Sequence, residues 1–221
     1  MSPLHCAAKF GRSDIIRQLI QKGPKFELQD CLRRALLHWA AHGGFHDISD
    51  LLLRNDARIS ARDDHGRTPL HLAMIARMDE SKTAQKLLRW NADKNGVDLD
   101  RSTSLHLRVA LNKKEVVKVL LNPNFGGTAE LESPDVKGRT ALHVAAELNH
   151  HEIAKLLLEQ GSDIKALHER QTALHKAAFE GHQETVQTLL QQGAELHVAD
   201  AEGSLRWSWQ PRTRNSEPLK Y

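Results

Sequence analysis

The chain has 221 residues, of which 40% are hydrophobic and 27% are charged, so it has enough apolar material for a core and wholesale disorder is excluded. Its 31 basic and 28 acidic residues leave a net charge of +3, too small an excess to indicate nucleic acid as a partner. No apolar stretch reaches the roughly 18 residues of a membrane-spanning helix, so no membrane span is expected.

The composition also bears on fold class and compartment. Aromatic residues make up only 5% of the chain while Ala and Leu are frequent, which favours closely stacked helices over a β-sandwich. Cys6 and Cys31 are the only cysteines, and no apolar signal segment precedes the first predicted helix. We therefore expect an intracellular protein, cytoplasmic or nuclear, with free thiols rather than a disulfide-stapled secreted fold.

The dipeptide Leu-His occurs six times at a regular spacing. Its histidines are His5, His38, His71, His106, His143 and His175. The intervals between them are 33, 33, 35, 37 and 32 residues, close to the roughly 33-residue period of one class of helical repeat. Six copies at this spacing predict an array of six structural units.

Longer motifs surround these dipeptides. Residues 66–73 read GRTPLHLA and 138–146 read GRTALHVAA, while 156–164 read LLLEQGSDI and 189–196 read LLQQGAEL. In these motifs the chain resembles the ankyrin-repeat family, whose units contain G-x-T-P-L-H-x-A-A and end in L-L-L-x-x-G-A-D-V. The resemblance implies an all-α solenoid of stacked helix-turn-helix units joined by extended turns. The array is expected to cover residues 1–203, in units of about 1–29, 30–62, 63–97, 98–134, 135–166 and 167–199.

The sixth unit shows how the residues specify these elements. Thr172 is suited to cap a first helix by accepting a hydrogen bond from an unpaired backbone N–H. Gly181 tolerates a positive φ and is expected to end that helix. Apolar residues then return at i, i+3 and i+4, which predicts the buried face of a second helix ending at Gly193.

Several segments depart from the repeat. The first unit lacks its leading turn, and extra residues near 78–81 and 122–128 are predicted to be loops because Pro123 cannot continue the preceding helix. The missing and irregular end units suggest a fragment or a shortened form of a longer repeat protein.

The chain leaves the pattern after residues 200–203, which read DAEG and begin a seventh turn. Residues 204–221 are expected to form a divergent cap and a disordered basic tail. Leu205, Trp207 and Trp209 alternate with polar residues, so a short extended segment is hypothesised to cover the last helix pair.

The fourteen histidines do not predict chemistry. A histidine present once per unit is interpreted as a scaffold element, because the resemblance implies that its ring bonds near the preceding turn. His42 and His46, and likewise His150 and His151, lie close together without a Cys or carboxylate at a zinc-like spacing. No P-loop, nucleophile-elbow, kinase or H-E-x-x-H motif is present, so no enzyme activity, cofactor or metal is expected.

The turn position five residues before each repeated histidine alternates between two residue types. Along the chain it holds Arg33, Gly66, Arg101, Gly138 and Arg170. The family favours glycine here, and a non-glycine residue at positive φ costs about 1 kcal/mol. Either the arginine-containing turns are reshaped or this cost is tolerated.

Further arginines, Arg34, Arg67 and Arg139, follow one position later, so guanidinium groups are spaced along one edge of the predicted array. Guanidinium suits bidentate binding of carboxylate or phosphate, which gives the hypothesis of a partner protein with an acidic segment. The alternative is a solvated face on which nearby aspartates offset the arginines. These aspartates are Asp30, Asp63, Asp98, Asp135 and Asp200.

Three aromatic residues complete the candidate site. Phe10, Trp39 and Phe179 occupy first-helix positions at which the family varies and from which a side chain can reach the groove. Exposed aromatic residues are common anchors of protein interfaces. They can equally pack against neighbouring turns, and for Trp39 the two interpretations stay open.

These observations favour a non-catalytic module, an adaptor or scaffold, that binds a protein along its turn tips and first helices. An inhibitor that masks basic localisation segments fits less well, because its surface should be acidic. One alternative is nucleic-acid association through Arg206, Arg212, Arg214 and Lys220, with tryptophans available for stacking. Another is that the chain targets a longer enzyme or channel.

Overall fold

The structure, a computed structural model, describes residues 2–22, 28–76 and 80–196, with the backbone alone described at residue 80. Twelve α-helices lie in these ranges, and the predicted all-α repeat solenoid is confirmed. Their bounds are α1 Pro3–Lys9, α2 Ser13–Gln21, α3 Leu36–His42, α4 His46–Leu53, α5 Pro69–Met74, α6 Glu80–Arg89, α7 Ser104–Ala110, α8 Lys114–Leu121, α9 Ala141–Glu147, α10 His151–Glu159, α11 Ala173–Glu180 and α12 Gln183–Gln191.

The helices form two layers. Each odd-numbered helix packs against the next odd-numbered one and against its own even-numbered partner, and the even-numbered helices stack in the same order. A core of Leu, Ala, Ile and Val side chains runs between the layers. The longest helix, α6, has ten residues, so none within the described ranges is long enough to cross a membrane. The unit boundaries given from the sequence stay a prediction.

Left-handed residues follow several of the helices. Gly181 ends α11 with φ 76°, as expected, and Gly193 follows α12 with φ 89°. Asn112 and Asn149 do the same after α7 and α9, because asparagine tolerates this conformation better than most side chains.

Thr172 is the N-cap of α11, as predicted, and its side chain forms a capping box with the backbone N–H of His175. The Thr172 hydroxyl also lies 2.8 Å from Nδ1 of His175 and donates to that ring. The backbone N–H of Thr172 also donates to Nδ1, at 3.3 Å. The repeated histidine therefore takes part in capping its own helix.

The repeated histidines also join successive units. Nδ1 accepts the N-cap N–H in most units, which leaves the ring proton on Nε2. Nε2 then donates, at 3.0 to 3.3 Å, to a backbone carbonyl in the turn of the next unit. These bonds pair His5 with Arg34, His38 with Arg67, His71 with Ser102, His106 with Arg139 and His143 with Gln171. The scaffold interpretation is thus confirmed for five histidines, and the bond to the following unit was not foreseen.

A buried lysine organises the insertion after α8. Lys94 is 3% exposed, and its Nζ donates to the carbonyls of Leu120, Asn122 and Gly127 at 2.9, 3.2 and 2.7 Å. Ile59 and Ile164 occupy the matching position in other units. The ammonium thus satisfies carbonyls at the end of α8 and in the inserted loop, while burial lowers the pKa of Lys94.

Some sequence-based expectations lie outside the described residues. They are the hypothesised cap and basic tail at 204–221 and part of the insertion near 78–81.

The histidine bonds predict that acid destabilises the fold. Burial lowers the pKa of His38, His71, His106 and His143 below that of an exposed histidine. Their contribution is therefore complete above the unfolded pKa of about 6.5 and is lost as the pH falls toward the folded values, by at most about 1.4 kcal/mol per pH unit and histidine. Urea unfolding at pH 7.5 and 5.5 measures this loss.

The variant His71→Gln should reduce the pH dependence of the unfolding free energy, since it removes one titrating group. The exposed, non-titrating Gln187 provides the control, and Gln187→Ala should leave the dependence unchanged. Equal slopes for wild type and both variants would contradict the role assigned to the buried rings.

The Lys94 contacts give a second prediction. Lys94→Met should lower the unfolding free energy by about 2 kcal/mol or more, because three carbonyls lose a charged donor. It should also speed amide exchange at 122–128, measured by hydrogen exchange with mass spectrometry. Lys118→Met on the exposed side of α8 is the control, with an expected change within about 0.5 kcal/mol. An unaltered loop in Lys94→Met would rule out this role.

Candidate partner-binding surface

Aspartates shape the turns that lead into each first helix. Oδ1 of Asp30, Asp63, Asp98 and Asp135 accepts the backbone N–H groups two and four residues later, at 2.8 to 3.0 Å. One carboxylate oxygen thereby satisfies two donors of a tight turn. The turns are held by short local bonds and project from the helices in a fixed conformation.

Neighbouring turn tips bond to one another. The N–H of Asp64 donates to the carbonyl of Leu32 at 3.1 Å, and the N–H of Leu99 donates to His65 at 2.9 Å. Val136 repeats the contact in the next unit, donating to a carbonyl 2.8 Å away. The tips of units two to five therefore form one continuous edge, which we call the turn edge.

Arg34, Arg67 and Arg139 are tied into this edge. Their guanidinium groups lie 2.9, 2.9 and 2.8 Å from the second carboxylate oxygen of the aspartate four residues earlier. The three arginine side chains are only 20 to 24% exposed to solvent. These ion pairs agree with the alternative of a solvated face, in which nearby aspartates offset the charge of the arginines.

The ion pairs also set the charge of the aspartates. Burial by itself raises the pKa of Asp30, Asp63 and Asp135, but hydrogen bonds from the paired arginine and from backbone N–H groups outweigh it. Each pKa consequently lies below its usual value, and the carboxylates stay ionised at neutral pH. Within the described chain these three arginines act as turn supports.

Arg33, Arg101 and Arg170 are placed differently. Their φ angles are 56°, 54° and 63°, so the turns are not reshaped and the left-handed conformation is adopted at its cost. The matching Gly66 and Gly138 have φ angles of 73° and 81°. All three arginines are exposed, and none forms an ion pair with another described residue. The guanidinium groups of Arg33 and Arg101 are therefore available on the turn edge, and that of Arg170 is available in the turn of unit six.

The aromatic candidates also fall into a buried group and an exposed group. Trp39 is 7% exposed, its Nε1–H donates to Oδ2 of Asp30 at 3.1 Å, and the Arg34 guanidinium lies 4.0 Å from its ring centroid. Trp39 thus packs against the turn, which was one of the two interpretations. Phe10 and Phe179 are 60% and 63% exposed at opposite ends of the array. The structure does not bring the nine candidates into one cluster, but distributes them along it.

Sequence reasoning missed an apolar part of the surface. Leu99 and Val136 are 71% and 62% exposed at adjacent turn tips, and Leu111 and Leu148 are exposed at the ends of α7 and α9. The signal was present in the sequence, because Leu99 in unit four and Val136 in unit five occupy the position that holds Asp64 in unit three. Units four and five therefore present apolar groups beside the arginine positions.

One trio of possible metal ligands lies on the turn edge. Asp63, Asp64 and His65 have ligand atoms within 4.8 Å of one another. Asp63, however, already accepts two backbone N–H groups and the Arg67 guanidinium. The Asp63 carboxylate oxygens accept the hydrogen bonds that shape the turn, and this role accounts for the proximity of the three side chains without a metal ion.

Comparison with known proteins places these features in a family. The profile of ankyrin repeats matches the chain in three overlapping stretches, residues 4–98, 74–168 and 105–200. The chain is 35% identical over 119 residues to neurogenic locus notch homolog protein 1 of Mus musculus, and 34% identical over 119 residues to neurogenic locus notch homolog protein 2 of Homo sapiens. The match covers 53% of this chain but only 5% of the length of either relative.

Among solved structures, the crystal structure of the human ASB11 ankyrin repeat domain is similar to the chain. The TM-score is 0.78 at 28% sequence identity, and the alignment covers 92% of this chain and 89% of that domain. The similarity extends over nearly the whole helix array.

The two arginine classes predict opposite effects on stability. Arg33→Gly should raise the unfolding free energy by up to about 1 kcal/mol, because glycine adopts positive φ without strain. Arg34→Ala should lower it by about 2 kcal/mol, because the buried Asp30 carboxylate loses its charged donor. Chemical denaturation of both variants against wild type measures the difference. Destabilisation of equal size in these neighbours would contradict the division.

Proposed function

The chain belongs to the ankyrin-repeat family, whose members are generally protein–protein interaction modules, and on this premise we propose that it is a non-catalytic adaptor or scaffold. It binds a partner protein along the turn edge and the exposed side chains of the first helices. The observation that carries the proposal is the presence of exposed arginines, held at positive φ, in every second unit.

Exposed residues held at positive φ call for an explanation other than the core. Glycine fits the same turn position at Gly66 and Gly138, and an arginine there makes no ion pair among the described residues. A side chain kept in a costly conformation and exposed to solvent is consistent with a role in binding. Guanidinium favours a carboxylate-bearing partner, so the partner segment is acidic.

The aromatic and apolar groups supply the rest of the contact. Phe10 and Phe179 mark the two ends of the surface, and Leu99 and Val136 provide apolar tips between them. Interfaces typically take most of their binding energy from a few aromatic or arginine anchors. Arg34, Arg67, Arg139 and Trp39 support this surface as parts of the turns. The proposed compartment remains intracellular.

Charge reversal provides the test. The triple variant Arg33→Glu, Arg101→Glu, Arg170→Glu should bind a partner at least tenfold more weakly than wild type, with the loss greatest at low salt. The partner is first captured from cell lysate, and its affinity is then measured with purified components by titration calorimetry. Circular dichroism confirms that helix content is retained.

The matched control reverses exposed cations on second helices, in the variant Arg17→Glu, Lys118→Glu, Lys155→Glu. It carries the same change in net charge and should stay within about twofold of wild-type affinity. A partner lost equally from both variants, or only from the control, would contradict a binding site on the turn edge.

A further inference from the structure

The first helix pair exposes positions that every other unit buries. Ile15 on α2 is 49% exposed, whereas its counterparts in units two to six are at most 3% exposed, namely Ile48, Thr83, Val116, Ile153 and Thr185. Pro3 on α1 is exposed as well, and the residues at its position in the other units are buried. In the inner units these helices pack against the preceding helix pair. The matching side of unit one is open, and we call Pro3 and Ile15 the leading face.

The last helix pair is open on its opposite side. The third residue after the repeated histidine is at most 1% exposed in units one to five, whereas Ala178 in unit six is exposed. Leu190 on α12 is 41% exposed, while the leucines at its position in units two to four are at most 7% exposed. Val186 is half-buried, and its five counterparts are at most 1% exposed. We call Ala178, Val186 and Leu190 the trailing face.

The array itself shows how two such faces fit together. At each of its five junctions, the side of a helix pair that matches the trailing face packs against the side of the next pair that matches the leading face. The aliphatic inner counterparts of both faces belong to one core. The trailing face of one copy can therefore take the leading face of a second copy by the packing that the chain already uses between its own units.

Charge favours a second copy as the occupant. Residues 2–22 carry four basic side chains and one acidic, a net charge of +3, whereas residues 167–196 carry two basic and four acidic, a net charge of −2. An ion pair between neighbouring units also occurs inside the array, where Lys114 lies 3.3 Å from Glu152. The opposite charges of the end units attract unlike ends of two copies and disfavour contact between like ends.

A polar contact of the inner junctions has a counterpart at the two ends. Nε2 of His182 in unit six donates to the carbonyl of Glu147 in unit five, at 2.9 Å. Arg12 stands at the position of His182, and Phe179 stands at the position of Glu147. An arginine of one copy can thus donate to a carbonyl at the C-terminal end of α11 in another copy, where the helix dipole also favours a cation.

We propose that the chain associates head to tail with a second copy of itself, with the leading face of one copy on the trailing face of the other. The Arg12 guanidinium donates to the Phe179 carbonyl, and Ile15 packs against the trailing face. Since α1 begins at Pro3, the contact is smaller than an inner junction and is reversible. Because two different faces meet, each assembly keeps an open face at both ends and grows past two copies. The contact is separate from the turn edge and does not depend on the proposed partner.

Sedimentation velocity of the full chain tests this proposal. The average mass should rise with protein concentration and pass that of a dimer, and the rise should be smaller at high salt. Ile15→Glu places a charge on the leading face and Leu190→Glu places one on the trailing face, so each should weaken self-association about tenfold or more. The matched control is Leu148→Glu, because Leu148 is 43% exposed and lies on neither face. This variant should associate as the wild type does.

A mixture of the two face variants separates a head-to-tail contact from other forms of association. Ile15→Glu keeps an intact trailing face and Leu190→Glu keeps an intact leading face, so equal amounts should form a dimer that grows no further. This recovery also shows that both variants are folded.

Three results would overturn the proposal. Self-association of either face variant alone at wild-type strength would do so, because one face would then be enough. A wild-type chain that stays a monomer at every concentration, or a mixture that yields no dimer, would do so as well.

Discussion

The array depends on one repeated interaction, the neutral histidine that joins two units. Its Nδ1 accepts a hydrogen bond at the start of its own helix, and its Nε2 donates to the turn of the next unit. A protonated ring has no acceptor, so this arrangement requires the neutral form. Because burial also lowers the pKa of the inner rings, the packing that hides the histidine favours the protonation state that the bond needs.

This bond connects the scaffold to the proposed function. It holds the carbonyl of Arg34, Arg67 or Arg139, and the same residue's guanidinium pairs with the turn aspartate. Backbone and side chain of this residue therefore both stabilise the turn. The residue before it, at positive φ, makes neither of these contacts and is glycine in some units and arginine in others. Because different residues stabilise the turn and vary in type, the chemistry of the turn edge can change without loss of the fold.

The fold could be predicted from the sequence because its signals repeat: six copies of Leu-His, 32 to 37 residues apart, indicate the period and the two helices of each unit. The sequence did not separate Arg33 from Arg34, because spacing alone places both on one edge and only the φ angle and the Asp30 ion pair distinguish them. Lys94 was missed because its role depends on carbonyls from an inserted loop, although a charge in place of Ile59 and Ile164 was visible. The Trp39 contact was left open since the aspartate that binds its indole lies in a turn nine residues away.

The histidine bond is tested most directly by nitrogen-15 NMR of the imidazole rings at pH 7. The account predicts that His38, His71 and His106 are neutral, carry the proton on Nε2, and show a through-bond coupling from Nε2–H to the carbonyl of the next turn. Rings that are protonated at both nitrogens, or that carry the proton on Nδ1, would contradict it, since neither form accepts the N-cap N–H while donating to the following unit.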